Sequence, residues 1–155
     1  MNGFTLDNPV FWTYAVASAI MVLKLMGQGW MTVYRMMKTS SGFLSPEDAN
    51  RGLANPNPRP GQLEVNDYVD RSRRMHRNDL ENIPAFFAAG LLFVAADPPL
   101  LLAQIAMFGF VAARLVHTLV YATGQSHEVR ATFYTIGSVI VIYMALHVLA
   151  VALWH

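Results

Sequence analysis

Long apolar stretches separated by short polar segments run through this chain, and four of them predict helices that could cross a membrane. Such a helix needs about 20 mostly apolar residues. The second stretch is apolar only after Asn82, so we expect its helix to begin well upstream, near Asp67. The predicted spans are residues 9–36, 67–96, 100–123 and 128–153.

Proline, glycine and short polar residues mark the expected ends of these helices. Asn8-Pro9 is a suitable start for the first helix, because proline is tolerated in the first turn. Asp97-Pro98-Pro99 predicts a short turn between the second and third helices. Pro84 should kink the second helix. In the long connection of residues 38–66, Ser45-Pro46-Glu47-Asp48 predicts a short helical turn.

Composition supports a membrane protein of one domain. The chain has 155 residues, of which 54% are apolar and 14% charged, whereas soluble domains carry about 25% charged residues. We therefore predict an all-α, integral membrane four-helix bundle in a single domain, residues 1–155. A soluble four-helix bundle is the alternative, but it needs a polar stripe at the helical period, and residues 132–153 offer only scattered polar side chains.

Basic residues are placed asymmetrically along the predicted topology. Four spans put both termini and the turn at residues 97–99 on one side, which holds no lysine or arginine. The positive-inside rule then places residues 38–79 and 124–130 on the cytoplasmic side of the membrane. The membrane is expected to be the endoplasmic reticulum of a eukaryote or the inner membrane of a bacterium. The nine basic residues of that side are Arg35, Lys38, Arg51, Arg59, Arg71, Arg73, Arg74, Arg77 and Arg130.

Several function classes lack their sequence signals. There is no cysteine, which excludes disulfides, thiolate metal sites and a cysteine nucleophile. The five histidines form no metal-binding motif, so we expect no metal. The net charge is only +1, and we expect no nucleic-acid partner. The N-terminus lacks the basic region of a cleaved signal peptide, so the first apolar stretch is expected to remain as a span.

The most concentrated group of charged residues precedes the apolar part of the second helix. Arg73, Arg77 and Glu81 recur at i, i+4 and i+8, and Arg74 and Asn78 form a neighbouring row. Arginine binds carboxylates through a planar fork, and Glu81 could receive an ammonium group. This face therefore fits a zwitterionic ligand such as a peptide, while contact with lipid headgroups is the alternative, above all for Arg73.

The third predicted helix carries one polar stripe. Arg114, His117 and Tyr121 are spaced i, i+3 and i+7 in an otherwise apolar span. A charge at that depth needs a partner, and Asp79 and Glu81 are both candidates. The stripe predicts either a ligand site or a structural salt bridge with a hydrogen-bonded histidine.

The fourth predicted helix begins with Arg130 and, one turn later, Tyr134. An arginine at the end of a span often anchors to lipid headgroups. Here it falls in the same layer as Arg77 and Tyr121 of two other helices. That convergence predicts an anion site.

Four segments of the chain resemble motifs of the MAPEG family, the membrane-associated proteins in eicosanoid and glutathione metabolism. VDRSRRMHRNDLENIP, residues 69–84, is similar to the family signature. FLSPED, residues 43–48, resembles the loop motif F-x-N-P-E-D, and ARLVHTLVY, residues 113–121, resembles R-x-x-H-T-x-x-Y. Arg130-Ala131 falls where the family has the arginine of its fourth helix.

The resemblance implies a homotrimer that binds glutathione between neighbouring subunits, near the cytoplasmic side. By position, it implies that Arg130 is catalytic and stabilises the glutathione thiolate. It also implies the glutathione-binding residues Arg35, Arg74, His76, Arg77, Asn78, Glu81, Arg114, His117, Tyr121 and Tyr134.

The motifs are closest to the branch of microsomal glutathione transferases, which conjugate hydrophobic electrophiles drawn from the bilayer lipids. Asn78-Asp79-Leu80-Glu81-Asn82 and Ala131 favour this branch, and reduction of lipid hydroperoxides is expected beside conjugation. Ala49 replaces the reactive loop cysteine of that branch, so activation by thiol modification should be absent. The alternatives are an isomerase of the prostaglandin E synthase branch and a scaffold or lipid-binding member without catalysis.

Overall fold

The structure is a computed structural model that describes residues 3–154, and all of its long regular elements are helices. They are α1 (Pro9–Thr39), α2 (Asp67–Ala95), α3 (Leu100–Ala122) and α4 (His127–Trp154). The predicted all-α bundle of four helices is confirmed, and its boundaries agree with the sequence to within a few residues. The ends of the predicted 1–155 domain lie outside the described residues.

Local sequence explains where the helices begin. The side chain of Asn8 accepts hydrogen bonds from the amides of Val10, at 2.9 Å, and Phe11, at 3.4 Å, so it caps α1. Asn66 caps α2 in the same way. Pro46–Ala49 forms a short 3₁₀-helix, as Ser45-Pro46-Glu47-Asp48 predicted.

Glycine and proline explain where the helices end. Gly124, the residue after the C-terminal cap of α3, adopts a φ of 74°, a conformation that costs residues with a side chain more than glycine. Pro98 and Pro99 separate α2 from α3. Pro84 lies inside α2, which continues through it to Ala95.

Helices α2 and α3 form the centre of the bundle. Helix α1 packs on both of them, and so does α4, while α1 and α4 do not contact each other in the described part of the chain. The core includes Phe86 of α2 and Phe110 of α3, whose rings stack with centroids 4.2 Å apart. This arrangement leaves α2 with two separate flanks, one facing α1 and one facing α4.

Much of the helix surface is apolar and exposed. Three helices, α1, α3 and α4, combine the length and the apolar composition that crossing a membrane requires. Helix α2 is the exception because its first half is charged. On α4 the buried residues are Gly137 and Met144, so most of its apolar side chains are left for lipid or another protein surface.

Candidate functional site

Most of the predicted site residues lie along two separate grooves beside α2. The α1–α2 groove has a volume of about 400 Å³, and the α4 groove, formed by α2, α3 and α4, has about 270 Å³. The α1–α2 groove is lined by Gly29, Thr32, Val33, Arg73, His76, Arg77 and Leu80. The α4 groove is lined by Asn78, His117, Tyr121, His127, Arg130, Ala131 and Tyr134.

Arg130 and Tyr121 meet in the wall of the α4 groove. The guanidinium carbon of Arg130 lies 4.6 Å from the centroid of the Tyr121 ring, a geometry in which the cation is attracted to the ring face. The Arg130 Nε donates a 3.4 Å hydrogen bond to the Ser126 carbonyl. Arg130 remains partly exposed, so its charge is available to an anion in the groove.

Aromatic and acidic side chains complete this wall. The Tyr134 hydroxyl donates a hydrogen bond of 3.2 Å to the Glu81 carboxylate, which links α4 to α2. The His117 ring lies 5.6 Å from the Tyr121 ring and 6.1 Å from the Tyr134 ring, measured between centroids. The groove thus offers a cation and the Tyr121 hydroxyl, with the Glu81 carboxylate beside it on Tyr134, which suits a ligand that carries both charges.

A buried charge cluster of Lys24, Asp79 and Arg114 joins α1, α2 and α3. Lys24 Nζ lies 2.5 Å from Asp79 Oδ2, and Arg114 Nη2 lies 2.6 Å from Asp79 Oδ1. The three side chains are at most 7% exposed. The partner of Arg114 is therefore Asp79 and not Glu81, and Lys24 pairs with a carboxylate.

Arg114 keeps donors that its ion pair does not use. Its Nε and Nη1 atoms and the Nδ1 atom of His117 are buried without a hydrogen-bond partner among residues 3–154. The Arg114 guanidinium lies 5.8 Å from the centroid of the Tyr134 ring. Arg114 thus extends from Asp79 towards the α4 groove, although it does not line that groove.

The arginines of the α1–α2 groove differ in their partners. Arg73 pairs with Asp70 at 2.7 Å and donates to the Gly42 carbonyl, so it holds the long connection against α2. Arg77 is exposed and makes no side-chain hydrogen bond in the described part of the chain. Although Arg73, Arg77 and Glu81 were predicted to share a face, Glu81 reaches α4 instead.

Arg35 and Arg74 lie outside the residues that line either groove. Arg35 is buried, donates a 2.9 Å hydrogen bond to the Tyr68 carbonyl and stacks on the Tyr68 ring at 4.3 Å. Arg74 pairs with Asp67 at 2.8 Å near the start of α2 and also interacts with Tyr121, which lines the α4 groove. Their predicted contacts with a ligand stay predictions.

His127 lines the α4 groove but was not singled out by the sequence analysis. It is spaced i, i+3 and i+7 with Arg130 and Tyr134, the same stripe that marks Arg114, His117 and Tyr121 on α3. That spacing could have identified it. Among residues 3–154 there is no group of three or more potential metal-ligating side chains, and the absence of a metal stays a prediction.

Comparison with known proteins shows what the chain is similar to. The sequence profile of the MAPEG family matches residues 13–150. Microsomal glutathione S-transferase 1 of Bos taurus is 33% identical over 144 residues, which are 93% of this chain and 92% of the relative. The Homo sapiens protein of the same name has the same identity and coverage. Prostaglandin E synthase of Macaca fascicularis is 26% identical over 154 residues, or 99% of this chain and 97% of the relative.

Proposed function

The chain belongs to the MAPEG family, and from that premise we propose that it is a membrane-bound glutathione transferase. It conjugates glutathione to hydrophobic electrophiles that enter from the bilayer, and it reduces lipid hydroperoxides as a second activity. The relatives named as glutathione S-transferases are more similar to the chain than those named as prostaglandin E synthases.

The observation that carries this proposal is the position of Arg130 over Tyr121 in the α4 groove. A free thiol has a pKa near 8.5, and its thiolate is the nucleophile. Arg130, the proposed catalytic residue, stabilises the thiolate by charge. The thiol proton leaves to water, the sulfur then attacks an electrophilic carbon, and the leaving group departs with the electron pair of the bond that breaks.

The other groove residues hold the charged ends of the tripeptide. Glu81, beside the groove, receives the ammonium group of glutathione, and Asn78, His117 and Tyr121 donate hydrogen bonds to its carboxylates and carbonyls. Charge-assisted bonds of this kind are about twice as strong as neutral ones. Tyr134, whose hydroxyl donates to Glu81, accepts a hydrogen bond from a glutathione N–H. Arg114, buried behind Tyr134 and absent from the groove wall, acts on the same ligand through its charge and not through a direct hydrogen bond.

The unpaired Arg77 supports a site shared between subunits. It lies with His76 in the α1–α2 groove, apart from Arg130. In a homotrimer the α1–α2 groove of one copy faces the α4 groove of the next. Each groove is then one half-site, and the two half-sites contact one glutathione. Arg35 belongs to the half-site of the α1–α2 groove, and Arg74, which interacts with Tyr121, belongs to the half-site of the α4 groove. The exposed apolar side chains of α1 and α4 then contact neighbouring subunits and lipid, with residues 38–66 in the cytoplasm.

Thiolate formation tests the proposed function directly. Glutathione added to the purified protein in lipid should produce the ultraviolet absorbance of a thiolate, and chlorodinitrobenzene should be conjugated with release of chloride. Arg130→Ala should lose both signals, while Arg59→Ala, which removes the same charge from the long connection, should keep them. Conjugation by Arg130→Ala at the wild-type rate would remove the assigned role of Arg130.

Product analysis separates the competing activities. An isomerase would convert prostaglandin endoperoxide in the presence of glutathione faster than it conjugates chlorodinitrobenzene. A lipid hydroperoxide tests the peroxidase activity in the same preparation. A scaffold without catalysis would bind glutathione without turning over any of these substrates, or would not bind it.

A further inference from the structure

We propose that the buried charge cluster carries one uncompensated positive charge behind the α4 groove, and that Lys24 supplies it. Lys24 does not line the groove. It acts through Asp79 and Arg114 as a positioning residue whose charge favours the thiolate over the thiol. The inference rests on the proposed function and assigns Lys24 a role in it.

The charge balance of the cluster follows from its geometry. One carboxylate, Asp79, accepts one cation on each oxygen, at 2.5 Å from Lys24 and 2.6 Å from Arg114. Arginine stays protonated in proteins. For Lys24, burial and the nearby Arg114 oppose the charge, while the direct contact with the Asp79 carboxylate supports it, and we assign Lys24 the charged form on that contact. Two cations on one anion leave the cluster with a charge of +1.

A single cation would be enough to neutralise Asp79. A second buried cation has a further desolvation cost, so a purely structural pair would need only Asp79 and Arg114. Arg114 is also incompletely satisfied, since its Nε and Nη1 have no hydrogen-bond partner among the described residues. The surplus positive charge therefore remains available to an anion nearby.

Arg114 connects this surplus to the groove. Its guanidinium lies 5.8 Å from the ring centroid of Tyr134, and Tyr134 lines the α4 groove. On α4, Gly137 leaves room for this approach, because a Cβ there would lie 3.3 Å from Arg114 Cδ. One side chain, that of Tyr134, thus lies between the Arg114 guanidinium and the groove, while Lys24 lies farther back, across Asp79. A dry, apolar surrounding screens charges weakly over such distances.

Other titratable groups face the same groove and are unchanged by substitution of Lys24. They are Glu81 and Arg74 from α2, which contact Tyr134 and Tyr121, His117 and Tyr121 from α3, and His127, Arg130 and Tyr134 from α4. Loss of the Lys24 charge, which lies behind Arg114, should raise the pKa of the bound glutathione thiol by on the order of one pH unit. The fraction of thiolate below that pKa then falls about tenfold.

The test measures the pH titration of the thiolate absorbance of bound glutathione in the wild type and in Lys24 variants in lipid. Lys24→Met removes the charge and leaves the pair of Asp79 and Arg114, while Lys24→Arg keeps the charge. Lys38→Met is the matched control, because it removes a lysine charge from the exposed end of the same helix. Lys24→Gln, which keeps a donor for Asp79, serves if the methionine variant does not fold.

The inference predicts a higher thiol pKa for Lys24→Met or Lys24→Gln and a wild-type pKa for Lys24→Arg and Lys38→Met. A neutral variant that titrates like the wild type would overturn it and leave the proposed function intact. If wild-type protein gives no thiolate signal with glutathione, the proposed function itself fails, and this inference fails with it.

Discussion

The guanidinium of Arg130 lies 4.6 Å from the centre of the Tyr121 ring, which joins the start of α4 to the last turns of α3. The two residues are part of one groove wall with Asn78, His117 and Tyr134. The ring limits the positions that the Arg130 cation can adopt, and the proposed thiolate depends on that position.

Substitution of Tyr121 should separate the role of its ring from that of its hydroxyl. Tyr121→Leu removes the ring face, worth about 0.5–1 kcal/mol to the cation, so we expect turnover to fall by at least two- to five-fold. Tyr121→Phe keeps the ring and should retain more activity than Tyr121→Leu. Steady-state conjugation rates measure the difference. Equal loss in both variants would assign the effect to the hydroxyl.

Asp79→Asn should destabilise the protein strongly. It leaves Lys24 and Arg114 buried without an anion, and removal of one partner from a buried ion pair costs about 3–5 kcal/mol. Asp70→Asn on the same helix breaks the more exposed pair with Arg73 and should cost about 0–1 kcal/mol. Thermal unfolding in detergent measures both. Similar midpoints for the two variants would contradict the importance of the buried cluster.

Substitution of two glycines by alanine should have different effects on stability, because the space around each glycine differs. Gly27→Ala meets no atom within 4 Å, so better helix propensity should stabilise α1 by up to about 1 kcal/mol. Gly137→Ala places a methyl group 3.3 Å from Arg114 Cδ, and we expect this crowding to cancel the gain. The unfolding midpoints of the two variants give the comparison. Equal stabilisation would show that Arg114 adjusts freely.

Mixed trimers test whether one site draws residues from two subunits. Arg77→Ala and Arg130→Ala chains should each be inactive alone. In trimers co-expressed at equal amounts, about one quarter of the interfaces pair an intact Arg77 with an intact Arg130, so activity should recover to about one quarter of wild type.

Simple mixing of the two separately purified variant trimers is the control and should restore nothing. If both arginines served the same site within one subunit, no co-expressed chain would contain an intact site. Absence of recovery in co-expressed trimers would therefore refute the shared site.

The sequence predicted the fold because its signals are local. Apolar runs of membrane length, the start at Asn8-Pro9 and the turn at Asp97-Pro98-Pro99 place four helices within a few residues of where they lie. It also brought Arg130 and Tyr121 into one layer. His127 was missed although its spacing to Arg130 and Tyr134 followed the same rule.

The depth at which a residue lies in a membrane span can be read from the sequence, but the neighbouring helix that its side chain faces cannot. Asp79 and Glu81 are two residues apart and were equal candidates to pair with Arg114. Packing of α2 on α1 and α3 buries Asp79 between Lys24 and Arg114, while Glu81 turns outward to Tyr134. The same packing separates Arg77 from Arg130, because α1 and α4 lie on different flanks of α2.

The sequence by itself thus determined the helices and their charged layers, because both depend on neighbours within one turn or one span. Only the tertiary structure decided which carboxylate is buried, which arginines are left unpaired and how they divide between two grooves. Those outcomes depend on how the helices rotate to bury their apolar faces against one another.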